Sequence, residues 1–153
     1  CQGFPIIAEM AALEWAISQS LNDAEEFSIG VSFIGGAVQS NGRAALRLQA
    51  NLRLVVSRWP LVGVWSDHKK DNTLIAGPLK PHVSRVAIWR HGEDLQILEL
   101  DTARFSFWRS LTRGHSIESA ARRALARDPL FDLVRETLVL FRSGLVTAVF
   151  TPL

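Results

Sequence analysis

Five side chains in this sequence have the chemistry to hold a transition metal or to act as nucleophile or base: His68, His82, His91, His115 and Cys1. A helical metal site places two histidines at i,i+4, and other zinc sites space Cys and His at short fixed intervals. Here the two nearest histidines are nine positions apart, no acidic residues cluster with them, and the lone Cys has no histidine beside it to act as its base. Neither glycine pattern that cradles a phosphate, G-x-x-x-x-G-K-[ST] or G-x-G-x-x-G, occurs. The residue pattern therefore predicts no catalytic residue, no metal ligand and no cofactor in this chain. Glu14 lies beside the apolar stripe of its helix in "LEWA". It is read as a buried salt-bridge partner, with a polar contact to another protein as the alternative.

Chemistry of this kind needs elements to position it, and the composition bounds what they are. The 153 residues suffice for one large domain or two small ones, and 48% of them are apolar, as in globular proteins. Apolar runs such as "LVGVW" are far shorter than the ~20 residues of a membrane helix. A single Cys excludes an internal disulfide framework and fits a reducing cytosol. The chain opens on Cys1, as a trimmed or processed form does; a mature lipoprotein also begins this way, but no signal peptide is visible. The mild positive charge is carried by fourteen Arg against three Lys. Arg favours bidentate contact with carboxylate and phosphate, so this surface suits an acidic peptide about as well as DNA, or is simply a solvated face.

The periodicities predict an α+β fold. "IAEMAALEWAISQSLND" places Met10, Leu13, Ala16, Ile17 and Leu21 on one helical face. A glycine-rich loop, residues 24–42, follows. "ALRLQANLRLVVS" alternates throughout and reads as one half-buried strand, with Leu46, Leu48, Ala50, Leu52 and Leu54 inward and Arg47, Gln49, Asn51 and Arg53 outward. "RWPLVGVWSDH" is helix or strand. "SDHKKDNTLIAGPLKPH" reads as a linker, which gives a helix-plus-strand half at 1–77 and a second half at 78–153. In the second half "SRVAIWRH" and "LQILEL" form a hairpin about "GED". Asp101 caps "TARFSFWRSLTR", Ser116 caps "IESAARRALAR", and Asp128 with Pro129 opens a third helix, Pro129–Ser143, before a last strand "LVTAVF". Hairpin, three helices and strand make a winged-helix-like module.

Such a module reads DNA or captures peptides. A DNA reader carries polar or basic residues early on its third helix. Here that stretch is Leu130, Phe131, Asp132, Leu133, Val134, Arg135 and Glu136, and Asp132 and Glu136 would face phosphates. Nucleic acid is therefore not the expected partner, and a winged-helix DNA-binding transcriptional regulator stands as the alternative. A peptide reader adds an extended segment to a sheet edge. The strand Leu95–Leu100 and the third helix supply the edge and the wall. The peptide-binding residues expected are Leu95, Ile97, Leu98, Glu99 and Leu100, with Leu138 on the helix and Arg135 and Arg142, nearly on one helical face, to hold acidic side chains.

Three segments taken in order, "MAALEWAISQSL", "LRLQANLRLVVSRWPLVGVW" and "RVAIWRHGEDLQILELDTARFSFWRSLTRGHSIESAA", resemble the HvfC/BufC-type family over nearly the whole chain. The C-terminal half is similar to PqqD-type peptide-recognition modules. The family's usual N-terminal helical domain is absent from this sequence. The resemblance implies a cytoplasmic accessory subunit, not an enzyme. It implies a heterodimer with a multinuclear non-haem iron oxidase that modifies cysteines of a ribosomally made precursor peptide, with the iron held by the oxidase. Such a subunit must also present an apolar, aromatic surface to the oxidase. Among the five tryptophans, Trp59 and Trp65 beside the linker are the expected partner-binding residues.

Overall fold

A computed structural model of the chain describes residues 5–35, 42–71 and 80–152. Cys1, residues 36–41 of the glycine-rich loop and residues 72–79 of the expected linker lie outside them. The elements run α1 (Pro5–Asn22), a 3-10 turn (Val31–Phe33), β1 (Ala45–Leu48), β2 (Arg53–Ser57), α2 (Leu61–Asp71), β3 (Ser84–His91), β4 (Asp94–Glu99), α3 (Thr102–Thr112), α4 (Ile117–Arg127), α5 (Leu133–Arg142) and β5 (Val146–Phe150). The fold is α+β. β2, β3 and β4 form one antiparallel sheet in that order, and β1 and β5 form a second, two-stranded one.

The expected strand across 45–57 is in fact two strands in different sheets. The break falls on the two residues that alternation assigned to solvent. Gln49 and Asn51 are buried, and each makes bonds that a backbone would otherwise make. The Gln49 amide donates to the carbonyls of Glu26 (2.7 Å) and Gly144 (3.2 Å) and accepts from the Glu26 N–H (2.9 Å). Asn51 donates to the Arg90 carbonyl at 3.2 Å and accepts from the Arg90 N–H, so its side chain prolongs the β2–β3 ladder by one rung. A buried amide holding backbone partners outweighs a propensity for straight strand.

The segment Leu61–Asp71, undecided from sequence, is helical and follows Pro60. Its junction with β2 is knotted by two buried serines. Ser57 donates to the Glu9 carboxylate and accepts from the Trp59 N–H, while Ser84 donates to the Trp59 carbonyl at 2.6 Å. Glu14, expected to be buried, is instead exposed; the acid of α1 that is engaged is Glu9. Leu21, expected on the inward face, is also exposed, and Ser20 takes the buried position.

The three-stranded sheet is covered on both faces. On one side Leu13, Ala16 and Ile17 of α1 and Leu61 of α2 pack on Val86 and Ile88. On the other, Ala87, Trp89 and Leu98 meet a larger core that includes Phe107, Trp108, Leu111, Ala120, Leu140 and Val146. The chain segments 1–77 and 78–153 share both sheets, because β2 pairs with β3 and β1 with β5. Residue 77 is thus not a boundary between sheets.

The helix caps follow the sequence at α3 and α4, where Asp101 and Ser116 accept from Arg104 N–H and Ser119 N–H. At α5 the start is displaced from Pro129 to Leu133. Asp132 is the cap, accepting from the Arg135 N–H at 3.0 Å, while Asp128 closes the preceding turn through the Leu130 N–H. α5 ends in a Schellman turn: the Leu145 N–H reaches the Leu140 carbonyl and Gly144 takes φ +70°. A Cβ at Gly144 would also stand 2.2 Å from His91 Nδ1. Gly144→Ala should therefore lower unfolding stability by about 1–2 kcal/mol, the usual left-handed penalty, in urea titration. The His91 ring is 54% exposed and can swing aside, so adding His91→Ala should recover little of that loss.

Candidate functional site

β4 is the last strand of its sheet, and among the described residues no strand lies along its outer side. Which backbone groups face outward follows from one bond. The Leu100 N–H donates to the Arg85 carbonyl at 2.7 Å, so Leu100 faces β3. Antiparallel ladders alternate, and Leu98 and Gln96 therefore face β3 too, while Leu95, Ile97 and Glu99 turn their N–H and C=O groups to the open edge. The side chains alternate as well. Leu95 and Ile97 pack toward α1 and α2, and Leu98 and Leu100 toward the larger core.

The sequence-expected residues are only partly brought together. Leu95, Ile97 and Glu99 form the open edge. Glu99 is exposed and its carboxylate lies 3.3 Å from His82 Nε2. Leu98 and Val139 of α5 both pack against the larger core. Leu100 is corrected: it lies beyond the end of β4, is buried, and its N–H is already used. On α5, Arg135 and Arg142 are exposed and have no acidic partner among the described residues. Arg135 lines a groove of about 330 Å³ that also carries Arg104 and four acidic residues, Asp101, Asp128, Asp132 and Glu136. Leu138 turns elsewhere, into an apolar groove with Ile117, Leu125 and Val134 between α4 and α5. It is not part of the β4 site.

Glu136 was expected to face solvent and repel phosphate. It is 5% exposed and accepts from Arg104 Nε (2.9 and 3.0 Å) and from Trp108 Nε1 (2.6 Å). It joins α3 to α5 and says nothing about DNA.

Trp59 and Trp65 are half-buried against the α1–α2 cluster, so less of each is open to a partner than expected. The tryptophan that stands out is Trp15, 66% exposed on α1 with Ile7 two turns before it. Sequence reading passed over it because "LEWA" drew attention to Glu14. It also passed over five arginines, Arg85, Arg109, Arg113, Arg123 and Arg127, that line one groove. The visible signal was two i,i+4 Arg pairs on adjacent helices.

Among the described residues no three His, Cys, Asp or Glu side chains gather as a metal site would require, and no helix is long and apolar enough to cross a membrane. Neither comparison with protein-family models nor searches of curated proteins and of solved structures finds a match to this chain.

Proposed function

We propose that the chain is a non-catalytic recognition subunit, which holds a ribosomally made precursor peptide as an added strand on β4 and presents it to a multinuclear non-haem iron oxidase for cysteine modification. The iron belongs to the oxidase, and the two chains act as a cytoplasmic heterodimer. The observation that carries this reading is the open outer edge of β4, with the N–H groups of Leu95, Ile97 and Glu99 directed outward. Strand addition takes its affinity from such backbone groups, and neighbouring side chains give specificity. In this reading Arg135 meets an acidic side chain of the peptide. The DNA-binding alternative finds little on α5, whose outward side carries Val134 and Leu138 with only Arg135 and Arg142 as cations.

The test uses two adjacent prolines. Proline removes one N–H. At Ile97 it removes an outward donor and leaves the β3 ladder whole; at Leu98 it breaks that ladder. Calorimetric titration of the precursor peptide into Ile97→Pro should show affinity at least tenfold below wild type, with circular dichroism unchanged. Leu98→Pro should instead lose about 2 kcal/mol of stability. Wild-type affinity in a folded Ile97→Pro protein would remove the peptide from this edge. Failure of the chain to co-elute with the oxidase after co-expression would remove the partner.

A further inference from the structure

The five-arginine groove reaches the opposite border of the same sheet through Val56 of β2, and none of the β4 edge residues Leu95, Ile97 and Glu99 lines it. It has a volume of about 590 Å³ and is formed by the face of α3 that carries Arg109 and Arg113, the face of α4 that carries Arg123 and Arg127, and the β2–β3 pair Val56 and Arg85. No acidic residue lines it. None of the five guanidinium groups has an ion-pair or hydrogen-bond partner among the described residues, whereas Arg53, Arg90, Arg104 and Arg122 all do. Five unneutralised cations exceed the whole chain's formal net charge of +2, so the remainder of the molecule is net acidic. Helix dipoles welcome a cation in each last turn, which accounts for Arg109 and Arg127. They do not account for the convergence of two helices and a strand on one recess, nor for like charges at i,i+4, which destabilise a helix.

The wall of the groove narrows the choice of ligand. β2 is the other terminal strand of its sheet. Since the Arg85 carbonyl faces β4, Ser84, Val86 and Ile88 face β2, and their partners Ser57, Val55 and Arg53 face back. Leu54 and Val56 therefore direct their backbone groups away from β3, where no further strand pairs among the described residues, and the Val56 side chain, 56% exposed, sits in the groove. An open strand edge beside a cationic recess offers backbone pairing and charge-assisted hydrogen bonds together. A polypeptide uses both; a nucleic acid uses only the second, and a duplex is too broad for a recess of this size.

We propose that this groove is a second binding site, for an extended acidic polypeptide segment rich in Asp and Glu that runs along β2 with its carboxylates on Arg109, Arg113 and Arg123. The site does not depend on the peptide bound at β4. The probe is a fluorescein-labelled octapeptide of alternating Glu and Val, titrated into the full chain by fluorescence anisotropy. The expected results are saturable binding that weakens as salt rises, a loss of at least tenfold in the triple variant Arg109→Gln, Arg113→Gln, Arg123→Gln, and a loss in Val56→Pro, which removes the outward N–H. Ile97→Pro should bind the probe like wild type. Circular dichroism checks each variant, and exposed Arg→Gln changes should leave it unaltered. No binding to wild type, or full binding by the triple variant, would overturn the site. If Ile97→Pro alone weakened the probe, the acidic segment would belong to β4 and this second site would fall while the recognition-subunit reading stood. A DNA duplex that bound more tightly than the octapeptide and lost affinity in the triple variant would overturn the choice of ligand.

Discussion

Glu136→Ala should cost about 4 kcal/mol of unfolding free energy, the largest single loss expected from any side chain of this protein outside the apolar core. The Glu136 side chain is 6% exposed, and its carboxylate joins Arg104 to Trp108. Its removal leaves a buried indole N–H without an acceptor and a largely buried guanidinium without its counter-charge, and both costs are large where water cannot enter. Glu136→Gln keeps an oxygen for Trp108 but turns an amide N–H₂ toward Arg104, donor against donor, and should lose about half as much. Replacing both charged partners, as in Glu136→Leu with Arg104→Met, should be milder than Glu136→Ala, because no charge is stranded. Urea unfolding read by tryptophan fluorescence measures all three, with Trp108 itself a reporter. A Glu136→Ala loss under about 1 kcal/mol would mean that the contact is dispensable.

The second large effect is expected at Gln49. Gln49→Ala strands the Gly144 carbonyl, which is buried, and frees the backbone of Glu26, which water can partly reach. The sum is about 3 kcal/mol at most. Gln49→Glu should be no better, since a carboxylate would confront two carbonyls. The distribution of the loss is more telling than its size. Gln49 ties the segment after α1 to the start of β5, where the Ile29 N–H also reaches the Val146 carbonyl. Amide exchange should therefore rise first at Glu26 and Ile29 in the variant, well before the β3 ladder opens. Uniform acceleration across the molecule would show that Gln49 has no local anchoring role.

These two residues also show what could be read in the sequence. α1 was legible from an apolar stripe at helical period, and α3 and α4 because such a stripe coincides with a cap residue: Asp101 and Ser116 hold N–H groups three positions on. The hairpin about Gly92–Glu93 was legible from two apolar runs and a tight turn. The strand break was not. Alternation records only whether a side chain is polar, and Gln49 and Asn51 are polar because they replace backbone partners inside the molecule. The start of α5 was misplaced because two aspartates four positions apart both suit a cap, and the choice between them was made by packing. Glu136 looked like a surface acid because Arg104 lies thirty-two positions away. The open edge of β4 was legible in part, as a strand; that Leu100 is excluded from it depends on a bond to Arg85 that no local pattern encodes.

The pairing of β1 with β5 has a consequence for how the protein comes into being. Its partners, from Ala45 with Phe150 to Leu48 with Val146, lie about a hundred positions apart, so this sheet carries some of the most non-local contacts in the molecule. On the ribosome, β1 emerges before β5 and waits through the synthesis of seven further elements until its mate appears. Until then it is an unpaired strand with apolar residues, the kind of species that chaperones bind and that aggregates when they do not. A premature stop a few codons before Val146 would leave α1 to α5 encoded and still deny the two-stranded sheet its closure. The two-stranded sheet closes only when β5 has been made, so quality control of this protein depends on the fate of its nascent chain over the seconds that this synthesis takes as much as on its final stability.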